Sequence, residues 1–72
     1  MLREGTILAK GVDAFRLLDD MLYEFSDAIK PRITITQNGY LFENIKLDMP
    51  SWIELESKLE TLGVANLFRF CY

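Results

Sequence analysis

Between Ile33 and Tyr40 the chain reads Ile-Thr-Ile-Thr-Gln-Asn-Gly-Tyr. Four β-branched residues that alternate apolar and polar with period two ask for a strand with one buried face. Asn38-Gly39 is the preferred pair for a two-residue type I′ turn, where both residues need positive φ. A hairpin in the middle of the chain follows, and every other segment must be arranged around the sheet it starts. Tyr40 to Leu47 supplies the returning strand. A two-residue loop sets Gln37 opposite Tyr40 and Ile35 opposite Phe42, so Ile33, Ile35 and Phe42 share a face. Ile45 and Leu47 have the opposite parity to Phe42. Either the sheet is apolar on both faces there, or a β-bulge near Glu43-Asn44 resets the alternation; the bulge is the favoured expectation.

A helix precedes the hairpin. Asp13 is placed to cap a helix from Ala14 to about Ile29, with Val12 and Leu17 as a hydrophobic staple. At about 100° per residue, Ala14, Phe15, Leu17, Leu18, Met21, Leu22, Phe25, Ala28 and Ile29 fall on one arc of roughly 160°. Phe25 is expected to anchor that face in the core. Pro31 ends the helix, because the residue before a proline is pushed out of the α region. A second helix follows the hairpin. Ser51-Trp52-Ile53-Glu54 has the capping-box form, and Trp52, Leu55, Leu59 and Leu62 make a narrow apolar stripe. Glu54 and Lys58 are an i,i+4 pair in the favourable order. Gly63 suits the left-handed position after the helix, with Val64 touching Leu59 in a Schellman arrangement.

Two further strands complete the reading. Thr6 to Lys10 is a short apolar stretch. Asn66 to Tyr72 alternates, with Phe68, Phe70 and Tyr72 on one face and Leu67, Arg69 and Cys71 on the other. The element order β-α-β-β-α-β, with short connections, resembles a ferredoxin-like α+β two-layer sandwich: two helices on one face of a four-stranded antiparallel sheet. Without the first strand, the order is α-β-β-α-β with a three-stranded antiparallel sheet. Residues 1–72 form one small α+β domain in either case, since a chain of this length buries only about 60% of its unfolded surface and supports a single core.

Composition narrows the chemistry. There is no His and only one Cys, so imidazole bases, Ser-His and Cys-His nucleophiles, internal disulfides and thiolate zinc clusters are excluded. Gly5, Gly11, Gly39 and Gly63 are isolated, and no phosphate-cradling loop is present. Asp19, Asp20 and Glu24 lie on a helix, whereas a hard-cation site wants carboxylates converging from a loop. The expectation is a non-enzymatic protein with no cofactor and no metal. Cys71, between Phe70 and Tyr72, is expected to be a buried or half-buried structural thiol. No apolar run is long enough to span a bilayer and no signal segment is evident, so the chain is expected to be cytoplasmic and away from membranes. A net charge of -3 argues against direct nucleic-acid binding.

The most distinctive polar feature is the acidic side of the first helix. Asp13, Asp20, Glu24 and Asp27 fall within roughly 60° of one another and form a stripe about 20 Å long, beside an exposed Tyr23. An aromatic anchor within a charged rim is the usual composition of a protein-docking surface. Such a stripe can also imitate a phosphate track in the basic groove of nucleic-acid-binding machinery, although that role usually needs a stronger field; an ordinary solvated helix face has the same composition. There is also more apolar side chain than one core needs. Leu8, Leu41, Leu67 and Cys71 are expected on the sheet face that the helices leave uncovered, as a surface for homodimer formation. The final strand is expected to have no following element to protect its edge.

These features lead to a small regulatory or inhibitory interaction protein, of a kind frequent in bacteria and their phages. It is expected to bind a protein partner, with a basic surface, through the acidic helix face, the apolar sheet face or both, and to form a homodimer. The alternative is a small-molecule-sensing regulatory domain acting at a dimer interface.

Overall fold

A computed structural model of the protein describes residues 1–25 and 30–72. Its elements are β1 (Arg3–Ala9), α1 (Val12–Phe25), β2 (Arg32–Thr36), β3 (Gly39–Leu47), α2 (Met49–Thr61), a 3-10 turn (Ala65–Leu67) and β4 (Phe68–Cys71). The four strands form one antiparallel sheet in the order β2-β3-β1-β4. The first strand is present and takes a central position. The part of the first helix expected beyond Phe25, including Asp27, Ala28 and Ile29, lies outside the described residues.

The hairpin turn forms one residue earlier than expected, which shifts the pairing register by two residues and keeps the faces. Thr36 pairs with Gly39, Ile35 with Tyr40 and Ile33 with Phe42, so the turn is made by Gln37-Asn38. Two local bonds hold it there: Thr36 Oγ1 accepts from the Asn38 N–H at 3.2 Å and donates to the Gly39 carbonyl at 3.0 Å. The positive φ moves to Gly39, at 138°. A Cβ at Gly39 would collide with the Ala9 carbonyl oxygen of β1, so this glycine belongs in the strand contact and not in the turn.

The expected bulge is present. Gly5 pairs with Ile45 and Ile7 with Phe42, leaving one extra residue on β3, and Asn44 adopts a left-handed φ of 63°. The bulge resets the alternation, and Phe42, Ile45 and Leu47 are all buried.

Both helices begin earlier than expected. α1 starts at Val12, and the Phe15 N–H donates to the Gly11 carbonyl, so Asp13 sits inside the first turn and Val12 is exposed. A carboxylate there still complements the helix dipole. α2 is capped by Asp48, whose Oδ1 accepts from the Ser51 N–H at 2.9 Å. Pro50 fits the first turn, where its missing N–H leaves no bond unmade. The α2 terminus is the expected Schellman motif. Val64 N–H donates to the Leu59 carbonyl and Gly63 N–H to that of Glu60, with Gly63 at φ 76°.

The core lies between the sheet and the two helices. Ala14, Leu18, Met21 and Leu22 of α1 and Trp52, Leu55 and Leu59 of α2 meet Ile7, Ala9, Phe42, Ile45, Leu47 and Phe68 of the sheet. α1 packs over β1 and β3. α2 lies over the β4 side, where Trp52 stacks on Tyr72 with ring centroids 4.6 Å apart and meets Phe70 edge-on at 6.2 Å. The Trp52 Nε1–H donates to the Arg3 carbonyl at 2.9 Å, which satisfies the indole inside the core. Phe25 is half-buried and packs at the margin of this cluster, with Lys58 Nζ 5.1 Å from its ring centroid.

Candidate functional site

Asp13, Asp20, Tyr23 and Glu24 are all exposed on α1, Tyr23 to 71%. The fifth expected member of this face, Asp27, lies outside the described residues. Position along the helix explains the grouping. Asp13 and Asp20 are two turns apart, Asp20 and Glu24 one turn, and Tyr23 follows Asp20 by three residues. The opposite side of the same helix supplies Leu18 and Leu22 to the core, which fixes the rotation of α1 and therefore the outward aim of the acidic row.

The acidic face borders a feature that periodicity within either helix does not show. Between α1 and α2 runs an open groove of about 560 Å³, with Leu17, Met21 and Glu24 on one wall and Glu54, Ser57, Lys58, Thr61 and Leu62 on the other. Apolar groups from Leu17, Met21 and Leu62 line it, and Glu24 belongs to both the groove and the acidic row. Leu62 was expected at the end of the buried stripe of α2, but it is 58% exposed. It occupies the C-cap position, where the chain turns away into the Schellman motif before the side chain reaches the sheet. The signal for the groove in the sequence was Leu62, an apolar residue at the margin of the α2 stripe.

The sheet face away from the helices is open. Leu8 and Leu41 are paired across β1 and β3, half-buried, and flanked by Thr34 of β2 and Arg69 of β4. One of the four residues expected there lies elsewhere, and another differs in burial. Leu67 belongs to the 3-10 turn and packs against the core, because the chain reaches β4 only at Phe68. Cys71 does lie on this face, opposite Thr6, but it is exposed and neither buried nor half-buried. An edge strand whose outer face has no covering layer leaves its alternate side chains in solvent. The row Phe68, Phe70 and Tyr72 points to the helices, as its alternation implied.

β2 carries the largest departure from the expected burial. Its pairing places Ile33 and Ile35 on the helix side of the sheet, opposite Phe42 and Tyr40. Yet Ile33 is 39% and Ile35 78% exposed. Phe15 of α1 reaches only as far as Tyr40, with ring centroids 4.8 Å apart, and Phe42, at 5.5 Å.

Among the described residues, no three acidic or thiol side chains converge as a metal site. No described helix is long and apolar enough to cross a membrane. No protein-family model matches the chain, and neither a curated protein nor a solved structure shows significant similarity to it.

Proposed function

We propose that this protein works by binding, not by chemistry, and that it regulates or blocks a protein partner by taking a basic amphipathic segment of it along the α1–α2 groove. The observation that carries this reading is the position of Glu24. It joins an exposed acidic row to a groove lined by Leu17, Met21 and Leu62. An amphipathic helix lays its apolar side into such a groove, and its lysines or arginines then meet Asp20, Glu24 and Glu54. Tyr23 supplies a large contact at the rim. A basic element of nucleic-acid-binding machinery is a partner of the right charge. The groove volume also falls in the range of small-ligand sites, which favours small-molecule sensing as the second reading.

Self-association belongs to the same proposal. Two uncovered apolar areas support it, Leu8–Leu41 on the outer sheet face and Ile33–Ile35 on β2. The proposal further includes assignment to the ferredoxin-like sandwiches, supported by the element order, the antiparallel order β2-β3-β1-β4 and the two helices on one face.

The test uses fluorescent amphipathic helical peptides of matched length, one lysine-rich and one glutamate-rich, titrated with the protein and followed by anisotropy. The basic peptide is expected to bind, to weaken as salt rises, and to be lost in the Asp20→Lys/Glu24→Lys double variant. Tyr23→Ala should weaken binding without changing the salt dependence, since it removes contact area and no charge. Equal binding of both peptides, or of the basic peptide by wild type and double variant, rejects the acidic face as the docking surface.

A further inference from the structure

β2 ends the sheet, and among the described residues no strand pairs with its outer edge. Sheet edges normally carry a device against pairing, such as a lysine, a proline, a bulge or a covering loop. β2 carries its one charge, Arg32, at its start, directly after Pro31, so the stretch Ile33-Thr34-Ile35-Thr36 has no charge and no proline, and its pairing with β3 runs without a bulge. Its helix-side residues Ile33 and Ile35 are exposed, although their partners Phe42 and Tyr40 belong to the core and its margin. The other edge differs. On β4 the helix-side residues Phe68 and Phe70 are already packed under α2.

From this geometry we infer that a second copy of the chain pairs with β2 through its own β2, antiparallel and centred on Thr34, to make a continuous eight-stranded sheet. The inference rests on the self-association proposed above and names its surface. The strand is self-complementary about Thr34. In that register Ile33 meets Ile35 of the second copy, Ile35 meets Ile33, and Thr34 meets Thr34. Paired residues of an antiparallel ladder share a face, so all four isoleucines gather on the helix side and extend the Phe15–Tyr40–Phe42 cluster. The two Arg32 side chains lie opposite Thr36 residues at the two ends, about 14 Å apart along the strand at 3.4 Å per residue. That exceeds the screening length of about 10 Å at 0.1 M salt, so no like charges are brought together. The isoleucines offer roughly 150 Å² of apolar surface per copy. With the paired backbones the joint burial is roughly 800–1,000 Å², below the roughly 1,200 Å² at which stable interfaces begin, which fits a weak, concentration-dependent dimer and not a permanent one.

Sedimentation equilibrium of the whole chain over roughly 1–300 μM reads the association. Ile35→Lys should weaken it at least about tenfold, because it puts a charge on the edge and sets the two new ammonium groups near each other. The thermal melt at low concentration should be unchanged, since this side chain is exposed in the single copy. Cross-linking reads the register. In a Cys71→Ser background, Thr34→Cys should form a disulfide-linked dimer with copper-phenanthroline in air, while Thr36→Cys should not. A dimer that survives Ile35→Lys but is lost with Leu41→Lys overturns this surface and leaves self-association on the outer face. A monomer throughout the range overturns both. Cross-linking of Thr36→Cys in preference to Thr34→Cys overturns the register.

Discussion

Gly5 shows how much one missing methyl group decides. A Cβ there would lie 2.6 Å from the Tyr72 Cβ and 2.8 Å from both the Cys71 carbonyl oxygen and the Trp52 ring. The glycine lets Trp52 and Tyr72 stack directly over the β1 backbone. Gly5→Ala is therefore expected to cost about 1–3 kcal/mol through overpacking, seen as a fall of several degrees in the melting temperature. An unchanged melt would mean that the stack is not seated on β1. Tyr72 makes a second local prediction. Its hydroxyl donates to Glu56 Oε1, and that bond, followed by burial and the Glu56 charge, holds the phenol above its ordinary pKa. The unfolded phenol ionises near 10 and the folded one at higher pH, so the contribution is complete below pH 10 and is lost as pH rises through the folded value. Urea midpoints measured between pH 8 and 11.5 should fall less steeply for Tyr72→Phe than for the wild type.

At the scale of single elements, the two helices differ in how they are secured. α1 is held by one face, and its inner residues carry the burial. Leu22→Ala, at a position 2% exposed, is expected to cost about 2–5 kcal/mol. Phe25→Ala should cost less than Leu22→Ala, because Phe25 lies half-buried beneath Lys58 at the margin of the core. Chemical denaturation of the two variants checks that order. α2 depends on its cap. The Ser51 hydroxyl, and after it the Ser51 backbone N–H, hold the Asp48 carboxyl below its ordinary pKa. A depressed carboxylate contributes stability above its unfolded pKa and loses it as pH falls through the folded value. Asp48→Asn keeps a capping side chain. It should be slightly less stable than the wild type near neutrality and converge with it as pH falls below about 4, where the Asp48 carboxyl is protonated.

For the whole molecule, one fold supports three unlike surfaces: the acidic face beside the groove, the mixed outer face of the sheet and the bare edge of β2. The division follows from coverage. Among the described residues, two helices resting over β1, β3 and β4 leave β2 outside the layer and the other sheet face open. The acidic row makes no contribution to this packing. Asp20→Lys/Glu24→Lys moves the formal net charge from -3 to +1, yet should alter folding stability by no more than about 0.5 kcal/mol, as surface substitutions do. Matched melting curves for wild type and variant check this. A large loss of stability would assign those carboxylates a structural role and invalidate their use as a binding test.

What the residues determined by themselves is the set of elements and their order. The Ile-Thr alternation, the parity break before Ile45, the Gly63-Val64 terminus and the apolar arc of α1 are local signals. They are read from backbone preference and periodicity within a few residues of one another, and the strands, the bulge and the Schellman motif followed from them. Tertiary structure decided what depends on distant neighbours. Gly39 left the turn because the backbone of β1 passes where its Cβ would be, and Thr36 fastened Gln37-Asn38 in its place. Asp48 took the cap from Ser51 once Met49 and Pro50 joined α2. Leu67 turned to the core and Cys71 to solvent because the chain enters β4 through a 3-10 turn at an uncovered edge. Ile33 and Ile35 kept the face that alternation assigned to them but not the burial. The pleat fixes the direction of a side chain from its own strand, whereas cover requires another element above it, and among the described residues the helices do not extend over β2.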